Sequence, residues 1–154
     1  MTELKDKAAL VTGAGQGVGQ GIAFALAARG AAVAVVGRTG KKLDDTVAEI
    51  ERRGGAALKI VCDVKQPEEV VAAVAAAFEA FDRLDILVNN AQEFCFGSID
   101  EIALDLVDAG WRSGPLATLL MMRAAHPHLA KAGGAIVNVG SSAAVDTAIA
   151  GIGI

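Results

Sequence analysis

One stretch of the chain decides its fold: Ala8-Ala9-Leu10-Val11-Thr12-Gly13-Ala14-Gly15-Gln16-Gly17-Val18-Gly19-Gln20-Gly21-Ile22-Ala23. A short apolar run is followed at once by a glycine cluster, and then by apolar residues at helical spacing. This order predicts a β-strand, a tight turn and the beginning of a helix. The first backbone N–H groups of a helix have no partner within it, and the helix dipole favours negative charge there. The stretch therefore predicts a place where the backbone can approach and bind a phosphate.

The spacing of these glycines differs from the G-x-G-x-x-G pattern of many dinucleotide-binding turns. Gly13 and Gly15 fit the first two positions, but Val18 stands at the third. The pattern that does fit is T-G-x-x-x-G-x-G, which is filled by Thr12, Gly13, Gly17 and Gly19. A glycine-rich turn can also be an ordinary strand-to-helix connection, so the rest of the chain has to decide between the two interpretations.

The composition indicates one domain with a large apolar core. The chain has 154 residues, of which 53% are hydrophobic, and a mean hydropathy of +0.46. No run reaches the roughly 18 uninterrupted apolar residues of a membrane helix, and the charged N-terminus lacks the apolar segment of a signal peptide. We therefore expect a single cytoplasmic domain over residues 1–154, without membrane contact. Its excess apolar surface is expected in a buried parallel sheet and a homo-oligomer interface.

Charge and cysteine usage exclude two other classes of site. The net charge of −4 and the pI of about 5.1 argue against nucleic acid as a partner, because nucleic-acid binding needs a basic face. Cys62 and Cys95 are 33 positions apart and belong to no metal-binding or redox motif. They suit a reducing cytoplasm as free thiols, and no metal site is expected.

Apolar runs alternate with helical patterns along the whole chain. The predicted strands are Ala8–Thr12, Ala32–Val36, Ala57–Val61, Asp85–Val88 and Ala135–Val139. The predicted helices cover about 17–28, 41–53, 67–81, a piece near 102–107, and 115–131. The strand runs are continuously apolar, which is typical of strands covered on both faces. The alternation predicts βαβ units, and hence an α/β fold with a parallel sheet.

The residues after the second predicted strand are Gly37, Arg38 and Thr39. In a dinucleotide site this strand end meets the adenosine ribose, where an acidic residue favours NAD and an arginine favours the 2′-phosphate of NADP. Here glycine stands at the acidic position and arginine follows it. A guanidinium offers a rigid set of donors suited to phosphate oxygens. The pattern favours NADP, with NAD as the alternative cofactor, although Arg38 could also be a solvated loop residue.

Polar or small residues also follow the remaining strands. Asp63 and Val64 follow the third strand, where the aspartate could hydrogen-bond an adenine amino group or could simply form a turn. Asn90 and Ala91 follow the fourth, where an amide can tie neighbouring strands together and a small residue lets a ribose approach; asparagine is also a common turn residue. Ser142 follows the fifth, where a hydroxyl could polarise a substrate carbonyl or be an ordinary loop residue.

Taken together, these motifs resemble the short-chain dehydrogenase/reductase family. The residues that carry the resemblance are Thr12-Gly13-x-x-x-Gly17-x-Gly19, Asp63-Val64, Asn89-Asn90-Ala91 and Ile136-Val137-Asn138-Val139-Gly140-Ser141-Ser142. The motifs stand in the family's order and span nearly the whole chain. The resemblance implies a doubly wound parallel sheet of the Rossmann type, with at least five strands present and the C-terminal strands missing. It also implies hydride transfer between a nicotinamide dinucleotide and a small carbonyl or alcohol substrate, in a dimer or tetramer.

The resemblance also implies roles for single residues. Ser142 would be the catalytic hydrogen-bond donor to the substrate oxygen, Asp63 would contact adenine, and Asn90 and Ala91 would line the cofactor ribose. The complete set of expected cofactor-binding residues is Gly13, Gly15, Gln16, Gly17, Val18, Gly19, Arg38, Thr39, Asp63, Val64, Asn90 and Ala91.

Three departures from the family pattern stand out. The family's proton donor is a tyrosine in a Tyr-x-x-x-Lys motif, and this chain contains no tyrosine. The motif is expected just beyond Ile154, which suggests a sequence truncated before it. The family often has an asparagine in the long helix, where Gly114 stands here. The usual glycine after Asn-Asn-Ala is replaced by Gln92, which is expected to crowd or redirect the loop beside the cofactor.

The leading hypothesis is therefore the cofactor-binding part of an NADP-preferring short-chain oxidoreductase that interconverts a carbonyl and a secondary alcohol. A second hypothesis is a dinucleotide-binding fragment or partner subunit without catalysis, which the absent tyrosine favours. A third is a methyl-donor nucleotide fold with a similar glycine turn. Gly37 and Arg38 speak against this third reading, because such a site usually has an acid at the end of the second strand.

Overall fold

Among the described residues, which are 3–95, 97–98 and 100–141 of a computed structural model, five parallel strands form one sheet. The strands are β1 (Ala8–Thr12), β2 (Ala32–Gly37), β3 (Ala56–Val61), β4 (Ile86–Asn89) and β5 (Ala135–Asn138). Their spatial order is β3-β2-β1-β4-β5. The chain winds outward from β1 to β3, then returns to the other side of β1 for β4 and β5. The sheet is therefore doubly wound, and the predicted fold class is confirmed.

Five α-helices accompany the strands in the described part of the chain. They are α1 (Gly17–Ala28), α2 (Gly40–Arg52), α3 (Pro67–Phe81), α4 (Leu104–Trp111) and α5 (Ala117–Ala132). A π-helical turn, Arg112–Leu116, joins α4 to α5, so the chain is helical without interruption over residues 104–132. None of these helices is long and apolar enough to cross a membrane.

The continuous helix corrects the prediction of two separate pieces near 102–107 and 115–131. Proline is typical of a first helical turn, which is why Pro115 indicates a helix start in the sequence. Pro115 instead lies inside the π-helical turn. A proline inside an α-helix removes one backbone hydrogen bond and crowds the carbonyl of the preceding turn. The wider π turn accommodates this change without ending the helix.

The core forms two layers, one on each face of the sheet. Successive residues of a strand point to opposite faces. Val11 and Val33 pack on the face covered by α1 and α2, while Leu10 and Val36 pack on the face covered by α3 and α5. All five residues of β1 are buried, as expected for a central strand with helices on both sides.

The prediction that all strands are covered on both faces is wrong for the two outer strands. All four residues of β5 are exposed, and Ile60 is the one buried residue of β3. The order of the strands explains the difference, because β3 and β5 lie at the two edges of the described sheet. Their apolar sequences resemble those of central strands, and a sequence does not state strand order. The predicted strand ends agree with the structure to within one residue.

The topology also places the candidate site. In a doubly wound sheet, ligands bind in the crevice outside the carboxyl ends of the strands, at the point where the strand order reverses. That point lies here between β1 and β4. The loops that follow β1, β2, β3 and β4 all emerge at this edge.

Candidate functional site

A cavity of about 500 Å³ lies at the carboxyl edge of the sheet. Its wall includes these expected cofactor-binding residues: Gly13, Gly15, Gln16, Gly17, Val18, Arg38, Thr39, Asp63, Val64, Asn90 and Ala91. Gly19 is buried in the first turn of α1 and does not line the cavity. Ser142 lies outside the described residues. The fold therefore brings together residues from four separate loops along one cleft.

The glycine turn after β1 has a backbone that only glycine adopts readily. Gly13 has a φ of +66° and Gly17 a φ of +58°, both in the left-handed region. A Cβ atom added to Gly13 would lie 2.8 Å from Nδ2 of Asn90 and 3.0 Å from Cα of Ala91. The turn therefore packs directly on the loop after β4. A Cβ on Gly17 would meet nothing within 4 Å, so the space beside this glycine is open.

The Thr12 hydroxyl holds the glycine turn against the loop after β4. Its Oγ1 accepts hydrogen bonds from the backbone N–H groups of Asn90 at 2.9 Å and Ala91 at 3.0 Å, and donates to the carbonyl of Val88 at 3.4 Å. The Asn90 amide in turn donates to the Thr12 carbonyl at 3.0 Å. Asn90 therefore ties β4 to β1, while its loop forms part of the cavity wall.

Replacing Thr12 by valine is expected to lower the free energy of unfolding by about 2 kcal/mol, because a buried donor left without an acceptor costs about 1–3 kcal/mol. Thr12 is only 2% exposed, and both N–H groups would lose the same acceptor. Chemical denaturation followed by circular dichroism measures the loss. Thr12→Ser keeps the hydroxyl and is the matched control. Equal stability of the valine and serine variants would contradict the role of the hydroxyl.

Helix α2 supports the other side of the turn. Thr46 is completely buried, and its Oγ1 donates to the carbonyl of Ala14 at 3.1 Å and accepts from Nε2 of Gln20 at 3.0 Å. Lys42 donates to Oε1 of Gln16 at the wall of the cavity. The turn is thus held from both sides before any ligand arrives, which reduces the ordering cost of binding.

The positive charge expected after β2 lies in the wall of the cavity. Arg38 is about half exposed, and its Nη1 donates to Oε1 of Glu93 from the loop after β4. Nζ of Lys65 donates to the same oxygen at 2.9 Å. These two cations hold the pKa of Glu93 below its ordinary value. The hydrogen bond from Lys65 lowers this pKa most, and the charge of Arg38 lowers it further. Glu93 is therefore a carboxylate at neutral pH.

Asp63 forms a turn at the cavity wall. Its Oδ1 accepts a hydrogen bond from the backbone N–H of Lys65 at 3.0 Å, and its own N–H donates to Glu69 at 2.8 Å. The turn is one of the two interpretations open in the sequence, and Asp63 also lines the cavity. Burial raises the pKa of the neighbouring Cys62 thiol to about 11, so this residue is not a thiolate at neutral pH. Both cysteines are free.

The two departures at positions 92 and 114 meet each other in space. A Cβ added to Gly114 would lie 3.3 Å from both Cδ and Nε2 of Gln92. The Gln92 side chain therefore occupies the space beside the π-helical turn that a side chain at position 114 would need. The glutamine that is expected to crowd the loop is accommodated by the glycine in the facing π-helical turn.

Several residues that contribute to the site were not among the expected binding residues, and Glu93, Ser113 and Lys65 are three of them. Glu93 and Ser113 line the cavity, and Ser113 accepts a hydrogen bond from the Glu93 N–H at 2.9 Å. Lys65 contacts the site through its hydrogen bond to Glu93. Glu93 and Lys65 each follow a strand by a few residues. Residues after the ends of parallel strands are expected at one edge of the sheet, and this expectation, which indicated Arg38, could have included them. Ser113 gave no local signal, because its position depends on how the helix folds back on the loop.

The residues of the cleft fit a nicotinamide dinucleotide. The glycine turn leaves open space along its backbone, beside the start of α1, where N–H groups favour a phosphate. The guanidinium of Arg38 lies further along the same wall, at the end of β2. No group of three or more histidine, cysteine or acidic residues in the described ranges is placed to hold a metal ion.

Comparisons with known proteins identify the family of the chain. A family model for short chain dehydrogenases matches residues 7–152. An uncharacterised oxidoreductase of Methylorubrum extorquens is 40% identical over 142 residues, which cover 92% of this chain and 57% of the relative. A short chain dehydrogenase of Burkholderia cenocepacia, solved with NADP, is 42% identical with a TM-score of 0.90, and the match covers 96% of this chain and 60% of that one.

A second solved structure contains NADH instead of NADP. It is a 7α-hydroxysteroid dehydrogenase with NADH and 7-oxo glycochenodeoxycholic acid, 29% identical with a TM-score of 0.90, and the match covers 95% of this chain and 57% of that one. The chain thus spans somewhat more than half the length of these three proteins. With the fold, the glycine turn and the family match in agreement, the chain belongs to the short-chain dehydrogenase/reductase family.

Proposed function

We propose that this chain belongs to an oxidoreductase that prefers NADP(H) over NAD(H) and interconverts a carbonyl and a secondary alcohol of a small molecule. The observation that carries the preference is Arg38 in the cavity wall at the end of β2, directly after Gly37. An acid that would accept hydrogen bonds from the ribose 2′-hydroxyl is replaced by a glycine, and a guanidinium suited to a 2′-phosphate follows. Relatives that bind NADP and NADH both support a nicotinamide cofactor.

The residues of the cleft divide along the length of such a cofactor. The turn from Gly13 to Gly19 would hold the pyrophosphate, and Arg38 with Thr39 the 2′-phosphate. Asp63 and Val64 would lie beside adenine, with Asn90 and Ala91 beside a ribose. When bound, the nicotinamide gives or accepts a hydride at its C4 atom. Ser142 would donate a hydrogen bond to the substrate oxygen and hold it toward that atom.

We also propose that residues 1–154 form a single cofactor-binding unit of a cytoplasmic homo-oligomer, a dimer or a tetramer. The exposed apolar residues of α4 support an interface, since Leu104 and Trp111 are 83% and 61% exposed. The free thiols of Cys62 and Cys95 support a reducing compartment.

A second candidate function, for residues 1–154 taken by themselves, is dinucleotide binding without catalysis, because these residues contain no tyrosine to donate a proton. The neutral phenol of a tyrosine has a pKa of about 10, and in this family a lysine lowers that pKa. Hydride turnover by this chain alone, followed by NADPH absorbance, would rule this candidate out.

Replacing Arg38 by alanine is expected to weaken NADPH binding about 10- to 100-fold, because a hydrogen bond between charged groups is worth about 1.5–3 kcal/mol. NADH, which lacks the 2′-phosphate, should lose less than about threefold. Calorimetric titration of the purified protein with each cofactor measures both affinities.

Lys41→Ala is the matched control for this test. It removes the same charge three positions further along the chain, where Lys41 pairs with Asp45 and does not line the cavity. Its NADPH affinity should stay close to that of the unchanged protein. If Arg38→Ala binds NADPH and NADH as the unchanged protein does, Arg38 does not hold the 2′-phosphate.

A further inference from the structure

The carboxylate of Glu93 has no role in the proposed function. It lies in contact with Arg38, the residue on which the proposed cofactor preference depends. Oε1 of Glu93 accepts hydrogen bonds from Nη1 of Arg38 and from Nζ of Lys65, the latter at 2.9 Å. Two cations therefore converge on one anionic oxygen at the cavity. A phosphate oxygen is also anionic and accepts the same hydrogen bonds, so Glu93 occupies a donor of Arg38 that the proposed function gives to the cofactor.

This contact crosses the cleft. Glu93 follows β4, whereas Arg38 follows β2 and Lys65 follows β3. In the sheet, β1 lies between β4 and the pair β2 and β3. The ion pairs therefore join loops from opposite sides of β1, above the strand that carries the glycine turn. Arg38 and Glu93 both form part of the cavity wall.

The backbone of Glu93 is held independently of its side chain. Its N–H donates to Oγ of Ser113 at 2.9 Å, and this hydroxyl donates to the carbonyl of Gly110 at 3.3 Å. Ser113 is only 3% exposed. The Glu93 side chain can therefore leave Arg38 by rotation about its own bonds while the loop stays on the helix.

We propose that Glu93 is an ionic latch across the cleft, which competes with the cofactor's 2′-phosphate for Arg38 and so limits the preference for the phosphorylated dinucleotide. The proposal rests on the proposed function, because it requires Arg38 to bind the 2′-phosphate. When that phosphate binds, the carboxylate leaves the guanidinium, since two anions on one side of Arg38 repel each other. Lys65 keeps the displaced carboxylate, so the latch opens without leaving Glu93 unpaired.

The test removes the charge of Glu93 and keeps its shape. In Glu93→Gln, we expect NADPH and adenosine 2′-monophosphate to bind about fivefold more tightly, the scale of one half-exposed ion pair. NADH and adenosine should change by less than about twofold. Calorimetric titration of the purified protein gives all four affinities, and adenosine 2′-monophosphate reports on the phosphate without any turnover.

Two further variants separate a latch from a general change of charge. Glu68→Gln removes one exposed carboxylate from the first turn of α3 and should leave all four affinities unchanged. In the Arg38→Ala background, Glu93→Gln should lose its effect, because the contact that it relieves no longer exists. A gain that persists without Arg38 would show simple repulsion and overturn the latch.

The remaining outcomes are also decisive. Unchanged binding of the 2′-phosphorylated ligands to Glu93→Gln would overturn the latch, as would weaker NADH binding, which would make Glu93 an acceptor for the ribose hydroxyl. If Arg38→Ala retains full NADPH affinity, the proposed cofactor preference itself fails. If Arg38→Ala loses NADPH affinity but Glu93→Gln gains none, the preference stands and the latch alone fails.

Discussion

Replacing Gly13 by valine is expected to weaken dinucleotide binding at least about 100-fold, which corresponds to about 2.7 kcal/mol. A branched residue at a φ of +66° is strained, at a cost of about 1–2 kcal/mol. Its Cβ would also lie 2.8 Å from the Asn90 amide and 3.0 Å from the Ala91 backbone. The loop after β4 would have to move away, and the cleft would change shape at its centre. Titration monitored by NADPH fluorescence measures the loss.

Gly54→Ala is the matched control for this substitution. Gly54 has a φ of +80°, so a side chain is strained there too, but an added Cβ would meet nothing within 4 Å. Gly54 follows α2 and does not line the cavity. This variant should lose about 1 kcal/mol of stability and keep its cofactor affinity. Unchanged NADPH binding by a folded Gly13→Val variant would contradict the close packing of the turn.

Replacing Asp85 by alanine is expected to lower the free energy of unfolding by about 3 kcal/mol. Asp85 is 4% exposed and precedes β4, at the end of the sheet opposite the cleft. Its carboxylate accepts two hydrogen bonds from Arg83 at 2.7 Å, one from Lys7 at 3.0 Å and one from the buried N–H of Ala8 at 2.9 Å. The substitution leaves this N–H without its acceptor, while the half-exposed cations return to water.

The same carboxylate gives stability a dependence on pH. The Arg83 hydrogen bonds, with those from the Ala8 N–H and Lys7, hold the pKa of Asp85 well below its ordinary value. A carboxyl with a lowered folded-state pKa stabilises the fold above its unfolded pKa of about 4. This contribution is lost as the pH falls below that value toward the folded-state pKa.

Denaturation of Asp85→Asn as a function of pH tests this assignment. The variant should be less stable than the unchanged protein at pH 7, and the difference should shrink as the pH falls below about 4. Asp45→Asn removes an exposed carboxylate paired with Lys41 on α2, and should cost at most about 0.5 kcal/mol. A difference between Asp85→Asn and the unchanged protein that stays constant from pH 7 to pH 2 would contradict it.

The parts of the fold that local patterns determine were predictable. The turn from Gly13 to Gly19 needs only a strand, glycines and a helix start in sequence, and these are adjacent in the chain. Arg38 could be placed in the cleft because the carboxyl ends of parallel strands share one edge. The exposure of β3 and β5 could not be predicted, because it depends on strand order, and their apolar runs resemble those of central strands.

The contacts within the site join residues that are far apart in the sequence, and the sequence alone does not state which of these residues lie close together. Arg38 and Glu93 are 55 positions apart in the sequence. They meet because the strands that precede them, β2 and β4, are separated in the sheet by β1 alone. Gln92 and Gly114 looked like two unrelated departures until the helix brought them together. Pro115 indicated the start of a helix by local preference, yet the chain keeps its helical course through a π turn there.

Titration of the purified, unchanged protein with NADPH and with NADH under identical conditions most directly tests whether the cleft holds a 2′-phosphorylated dinucleotide through Arg38. We predict that both bind and that NADPH binds at least about tenfold more tightly, since one hydrogen bond between charged groups supplies about 1.5–3 kcal/mol. Equal affinity for the two cofactors, tighter binding of NADH, or binding of neither would contradict the proposed function.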